Sequence, residues 1–277
     1  MKRAILIVSF GTTYEETRKV TIDKIEERIK EKYKDYEVKM AFTAHIIIKI
    51  LKNRDGIIVD TPEEALEKLK KEGFEEVIVQ PLHMIPGVEF QYITKIVDKY
   101  KDDFSWIKTG RPILYYKGED SEIPDDYSIL VDAIKDIIPE DRITIFMGHG
   151  TNHFSNACYS CLKLVFVDRG FDKVFIANVD GYPSLRNVID KIKQSGSGKD
   201  VTLIPLMVVA GDHAQNDMAG EDETSWKKVL TNEGFNVETY LHGLGELEKF
   251  QDIYIKHVED AFHDTYLGVG HTKKGGQ

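Results

Sequence analysis

The sequence predicts an α/β protein of two similar domains, each a parallel sheet flanked by helices, with a cleft between them. Three observations carry this expectation. Apolar runs of strand length alternate with longer amphipathic, charged segments along the chain, as in parallel sheets covered on both faces. An acidic, turn-rich stretch, GEDSEIPDD at 118–126, falls near the middle. Segments on either side of that stretch match one another in the same order.

Strands are expected over 4–10, 38–42, 76–81, 107–111, 143–147, 173–179, 201–205 and 236–240. Between them, helices are expected over 15–33, 62–72, 90–100, 127–137, 154–169, 185–194, 223–233 and 247–265. Thr61-Pro62-Glu63-Glu64 supplies a cap, a proline suited to the first helical position and a capping-box glutamate. Thr13-Tyr14-Glu15-Glu16 repeats that arrangement after the first strand. The expected domains are 1–125 and 126–265, the second carrying the site, with a glycine-rich flexible tail at 266–277.

Composition narrows the function. The 277 residues, 42% hydrophobic and 30% charged, suit one large or two medium globular domains. A formal net charge of -10 argues against a nucleic-acid partner. The opening MKRAILIVSF imitates a leader, but its apolar run is short and TTYEETRK follows at once, so it reads as the first strand. No run approaches the ~18 apolar residues of a membrane span, so no membrane partner is expected and the expected location is cytoplasmic. Cys158 and Cys161 are the only cysteines, three apart on an expected helix, and read as buried structural residues. The chain lacks G-x-G-x-x-G after its first strand, a Walker loop and a G-x-S-x-G elbow. Neither a nucleotide nor a flavin is therefore expected.

The internal matches locate the chemistry. Ser9-Phe10-Gly11-Thr12 matches Gly148-His149-Gly150-Thr151, and EEVIVQPLHMIPGVEF matches KDVTLIPLMVVAGDHA. Registering Pro81 with Pro205 sets Glu89 opposite His213; a third match sets Asp60 beside Asp180. Ligands of open parallel sheets bind beyond the carboxyl ends of the strands, where all these residues fall. The second half presents His149, Asp180 and His213; the first presents Phe10, Asp60 and Glu89, with His83 close by. Two imidazoles and a carboxylate suit a divalent first-row metal such as cobalt, nickel or iron. The glycines around His149 are expected to clear room for a bulky planar ligand and to permit a sharp turn. A helix is expected to start just after His149, its positive end keeping the ring neutral, and Asp212 to orient the His213 ring.

The stretches ILIVSFGTTYEET, RDGIIVDTPEEAL, PLHMIPGVEF, FMGHGTNH, VDGYP, PLMVVAGDHAQNDMAG and GLGE span nearly the whole chain in order. In them the sequence resembles the CbiK-type sirohydrochlorin cobaltochelatases of anaerobic cobalamin biosynthesis, which are class II chelatases. The resemblance implies a chelatase-like fold with a tetrapyrrole cleft, and ATP-independent insertion of Co2+, as substrate metal, into sirohydrochlorin. It implies His149 as proton acceptor and metal ligand, and His213 as a second ligand. The family's third ligand, a glutamate, falls on Asp180, one methylene shorter, which is expected to act both as a ligand and as a catalytic carboxylate beside His149. Glu89 and His83 fall beside the substrate, and Phe10 and Gly11 on an apolar face toward it. The alternatives are iron insertion into sirohydrochlorin or a porphyrin, and a two-lobed tetrapyrrole- or metal-binding protein without turnover. Homo-oligomerisation is left open. Because sirohydrochlorin carries several carboxylates and the chain is acidic, cations must gather locally at the cleft.

Overall fold

The computed structural model describes residues 2–119 and 123–266. The first half runs β1 (Arg3–Ser9), α1 (Glu15–Val20), α2 (Ile22–Lys32), β2 (Glu37–Phe42), α3 (His45–Ile50), a π-helical turn (Leu51–Asp55), α4 (Pro62–Lys71), β3 (Glu76–Pro81), α5 (Val88–Tyr100) and β4 (Trp106–Thr109). The second runs α6 (Asp126–Ile134), β5 (Ile143–Gly150), α7 (Ala157–Asp168), β6 (Val174–Asp180), α8 (Leu185–Ser195) and β7 (Asp200–Pro205). It ends with a second π-helical turn (His213–Met218), α9 (Trp226–Asn232), β8 (Asn236–Thr239) and α10 (Glu248–Phe262). The expected tail from residue 267 on and linker residues 120–122 lie outside the described residues. Among the described residues no helix is long and apolar enough to cross a membrane.

Each half is a four-stranded parallel sheet, in the orders β2-β1-β3-β4 and β6-β5-β7-β8. The two topologies are the same, and all eight expected strands are present, as the repeat implies. Side chains alternate along β1: Ile5 and Ile7 point to one core, Ala4, Leu6 and Val8 to another. In β5, Phe146 joins the first of these cores, whereas Ile143, Ile145 and Met147 point the other way. One hydrophobic core therefore runs through both halves, with a separate core on the far face of each sheet. Residues such as Ile5, Ile7 and Phe146 are wholly inaccessible there, each contributing about 1.5–3 kcal/mol through burial. The last helix, α10, packs on β3, β4 and α2 of the first half and on α6 of the second.

Three local expectations are corrected. The helix expected over 15–33 is broken at Thr21, whose hydroxyl donates to the Thr17 carbonyl at 2.5 Å and competes with the helical ladder. The capping box at Thr61–Glu64 forms, but α1 starts after Tyr14 with no side-chain cap, so the box expected from Thr13 does not. The apolar stretch HIIIKILKNRD, not assigned from the sequence, forms α3 and the π-helical turn after it.

A buried charge cluster spans the junction of the halves. Arg111, just beyond β4, grips Asp126 of α6 with Nε and Nη2, each at 3.0 Å, and reaches Asp260 of α10 with Nη1 at 2.7 Å. His257 donates from Nδ1 to the Arg111 carbonyl at 2.9 Å. Burial alone would push the Asp126 carboxyl up, but the His257 ring and the Arg111 guanidinium outweigh it and hold it below the usual range. Asp126→Asn is expected to lower stability by about 3 kcal/mol at neutral pH, measured by urea unfolding. A carboxyl with a depressed native pKa stabilises above its unfolded value and ceases to as pH falls through the native one. The gap between wild type and variant should therefore narrow with acid.

Candidate functional site

The carboxyl ends of β1 and β3 face those of β5 and β7 across a cleft of about 620 Å3. Leu206, Met207, Val208, Leu82 and Met84 give it apolar walls, and Ile46, Ile47 and Ile50 of α3 form one flank. Tyr159, buried and with its hydroxyl pushed up to about 12 by burial, lies behind His149.

His149 is the exposed residue in the otherwise buried end of β5. Its Nδ1 lies 3.0 Å from the Gly150 carbonyl, which only accepts, so Nδ1 carries the proton and Nε2 keeps its lone pair. His213 opens the second π-helical turn. Its Nδ1 donates to Asp217 Oδ2 at 2.5 Å, again leaving Nε2 free. The two rings stand perpendicular, with centroids 4.8 Å apart. Sequence positions 64 apart thus place two imidazoles in contact at one wall of the cleft, each with Nδ1 engaged. A carboxylate behind a histidine fixes its tautomer and raises its basicity toward a metal.

The reasons expected for the neighbours are partly overturned. A side chain at Gly148 would meet the Asn178 amide at 2.4 Å and the Tyr159 ring at 2.7 Å; one at Gly150 would meet the Asp180 carbonyl at 1.7 Å. Both glycines are therefore required by close packing in and behind the sheet rather than by clearance for a ligand. Gly150 does make the expected turn, with φ +77°. The helix expected after His149 is present, as helical residues Phe154–Asn156 followed by α7 from Ala157. The hydrogen bond that sets the His149 ring is the one to the Gly150 carbonyl. Asp212 does not orient His213; it accepts from Tyr14 at 3.2 Å and from Asn216 at 2.8 Å, and Asp217 takes the role expected of it. Sequence neighbours point apart on this turn, whereas residues four apart meet.

Asp180 ends β6, paired in register with Gly150, but it is exposed and does not line the cleft. Among the described residues no group of three histidine, cysteine or acidic side chains is close enough to hold a metal. The structure brings His149 and His213 together and leaves Asp180 aside. Asp60, its counterpart, is held by Lys68 at 2.7 Å. Phe10, Gly11, His83 and Glu89 all line the cleft from the first half. Gly11, at φ +94°, leaves no room for a side chain against the Phe42 ring.

Sequence reasoning missed the α3 isoleucines, Tyr14 and Asp217. The available signal was the apolar spacing Ile46, Ile47, Ile50 and the interval of four between His213 and Asp217. Two contacts cross between the halves beside the cleft: Tyr14 to Asp212, and the Gln91 amide, 2.8 Å from His153 Nε2.

His83 is the least satisfied polar group here. Both ring nitrogens are shielded from solvent without a hydrogen-bond partner, while part of the ring reaches the cleft wall. Burial pushes its pKa down from 6.5 to about 4, so it is neutral at physiological pH. A buried polar group without a partner costs about 1–3 kcal/mol. His83→Phe is therefore expected to raise stability by about 1 kcal/mol at pH 7 in urea unfolding. The unfolded chain takes up this proton near 6.5 and the native ring only near 4, so stability falls with acid across that window. That slope should flatten in His83→Phe.

The chain compares with known proteins as follows. The profile of the family described as Cobalt chelatase (CbiK) matches residues 3–263. The chain is 36% identical over 266 residues to a protein of Salmonella typhimurium named sirohydrochlorin cobaltochelatase, covering 95% of this chain and 97% of that one. It is 32% identical over 266 residues to the sirohydrochlorin cobaltochelatase CbiKC of Nitratidesulfovibrio vulgaris, covering 94% and 90% respectively. Its fold is similar to that of the sirohydrochlorin chelatase SirB of Bacillus subtilis subspecies spizizenii, solved with cobalt, at a TM-score of 0.61 and 14% identity, covering 95% of this chain and 97% of that one.

Proposed function

The chain belongs to the CbiK family of cobalt chelatases, and on that premise we propose that it inserts Co2+ into sirohydrochlorin without ATP, in anaerobic cobalamin biosynthesis. The relatives that carry this name cover nearly its full length, and their names favour cobalt over iron and catalysis over simple binding. The observation that carries the mechanism is the perpendicular pair of imidazoles, each with Nδ1 engaged and Nε2 open to one wall of a cleft with apolar walls.

Cobalt is a substrate here. Neutral imidazole suits first-row divalent ions, and the two Nε2 atoms receive Co2+ at the cleft wall. The macrocycle enters between the halves, Phe10 and the Leu82–Met84 segment offering it apolar faces. Two pyrrole N–H bonds must lose their protons as the ring nitrogens take the metal. As His149 gives up the ion, its Nε2 lone pair is released and accepts the two protons in turn, passing each to solvent. His213 holds the ion while this happens. Glu89, in the first turn of α5 on the facing half, and the neutral His83 bind the substrate from the other side. Asp180, which the resemblance marks as the third ligand, stands outside the cleft at the end of the neighbouring strand and contributes charge rather than a bond to the ion.

The test is to mix protein, sirohydrochlorin and Co2+ and follow the absorption change on metal insertion. His149→Ala should slow insertion about 10²–10⁴-fold, the usual cost of a lost general base. His213→Ala should weaken Co2+ retention, measured by equilibrium dialysis, and Asp180→Asn should weaken it less. An unchanged rate in His149→Ala would remove that residue from the reaction.

A further inference from the structure

The cleft lining contains no lysine or arginine among the described residues, yet it includes two acids, Glu89 and Asp212. A substrate bearing several carboxylates cannot be recognised by such a lining, in a chain of net charge -10. Its acidic side arms must meet cations at the rim. Cations on neighbouring elements are already paired: Arg18 with Asp23, Lys19 with Glu15, and Lys68 with Asp60.

The helix that flanks the cleft differs. Ile46, Ile47 and Ile50 of α3 line the cleft, and Ile46 and Ile50 are 69% and 38% exposed, although large apolar side chains are usually covered. Lys49 lies three positions after Ile46, and residues so spaced share one side of a helix. Lys52 follows after another three, in the π-helical turn. Both lysines are exposed and, among the described residues, neither makes an ion pair or a side-chain hydrogen bond. The same turn is tied to the rim by Arg54, which donates from Nη2 to the carbonyl of Thr13, a lining residue. Departures into π-helix concentrate at functional sites, and the other one in this chain carries His213.

We propose that α3 and its π-helical turn are the specificity element for polycarboxylated tetrapyrroles: the isoleucines pack against the macrocycle while Lys49 and Lys52 receive its carboxylates. The proposal rests on the chelatase reading and goes beyond it, because it fixes which macrocycles the site accepts. Exposed charge pairs are individually weak and are screened by salt, so two of them give a modest but salt-dependent preference.

The test measures binding of metal-free sirohydrochlorin by quenching of tetrapyrrole fluorescence, at low and high salt, without cobalt. Lys49→Ala/Lys52→Ala should bind about three- to tenfold more weakly at low salt and show a shallower salt dependence. Lys49→Arg/Lys52→Arg should retain wild-type affinity. The control is Lys191→Ala/Lys199→Ala, which removes the same charge far from the cleft and should bind as wild type does. A dicarboxylate porphyrin should be far less sensitive to the α3 variant than sirohydrochlorin is. If the α3 variant matches wild type, or the control loses as much, this proposal fails and the chelatase reading stands. If wild type neither binds nor metallates sirohydrochlorin, both fail.

Discussion

The site exists only because two separately wound sheets are held with their carboxyl ends facing. A single core, reaching from Ile5 and Ile7 of one sheet to Phe146 of the other, fixes their separation. The C-terminal helix adds to it by crossing back to the first sheet, and Arg111 adds a directional constraint by gripping Asp126 and Asp260 at once. Hydrophobic burial sets no orientation by itself. A planar guanidinium with two carboxylates on different helices does. Tilting one half would pull the largely buried Arg111 and Asp126 apart and leave their charges uncompensated.

Within that frame, the halves share a topology but not a chemistry. At matched strand ends, Phe10 stands where the second half has His149, and Glu89 where it has His213. One wall therefore presents two imidazoles, and the other a hydrophobic face and a carboxylate. On the proposed reading, a flat macrocycle between these unlike walls meets the metal from one side. The division follows from side-chain substitution on a common scaffold, without any change in strand order.

The strands were legible because parallel strands covered on both faces have to be apolar throughout, and ILIV, VIV and ITIF leave little choice. The pairing of His149 with His213 was legible because the repeat put both at strand ends. Local causes were harder to read. Gly148 and Gly150 appear in sequence as space for a ligand, but only coordinates show Asn178 and the Asp180 carbonyl occupying that space. Asp212 and Asp217 are equally plausible partners for His213 until the turn geometry is known, and a π-helical turn has no strong sequence signature. The α3 segment was missed because its isoleucines imitate a buried run. Ile46 and Ile50 are apolar for a cleft, Ile48 for the core and Ile47 for both, and hydropathy does not distinguish the two. The position of Asp180 follows from side-chain direction at a strand end, which residue spacing does not encode.

The pairing of only two imidazoles at the cleft wall has a kinetic consequence. Octahedral and tetrahedral ions want more donors than this, so on the proposed reading an ion resting on His149 and His213 would keep vacant or water-filled positions. Such a berth is shallow by construction. A deep one would trap its cargo, and each turnover would end in a stalled carrier. Incomplete coordination lets the incoming ring nitrogens compete successfully, so hand-over depends on the protein holding its ion less well than the product does.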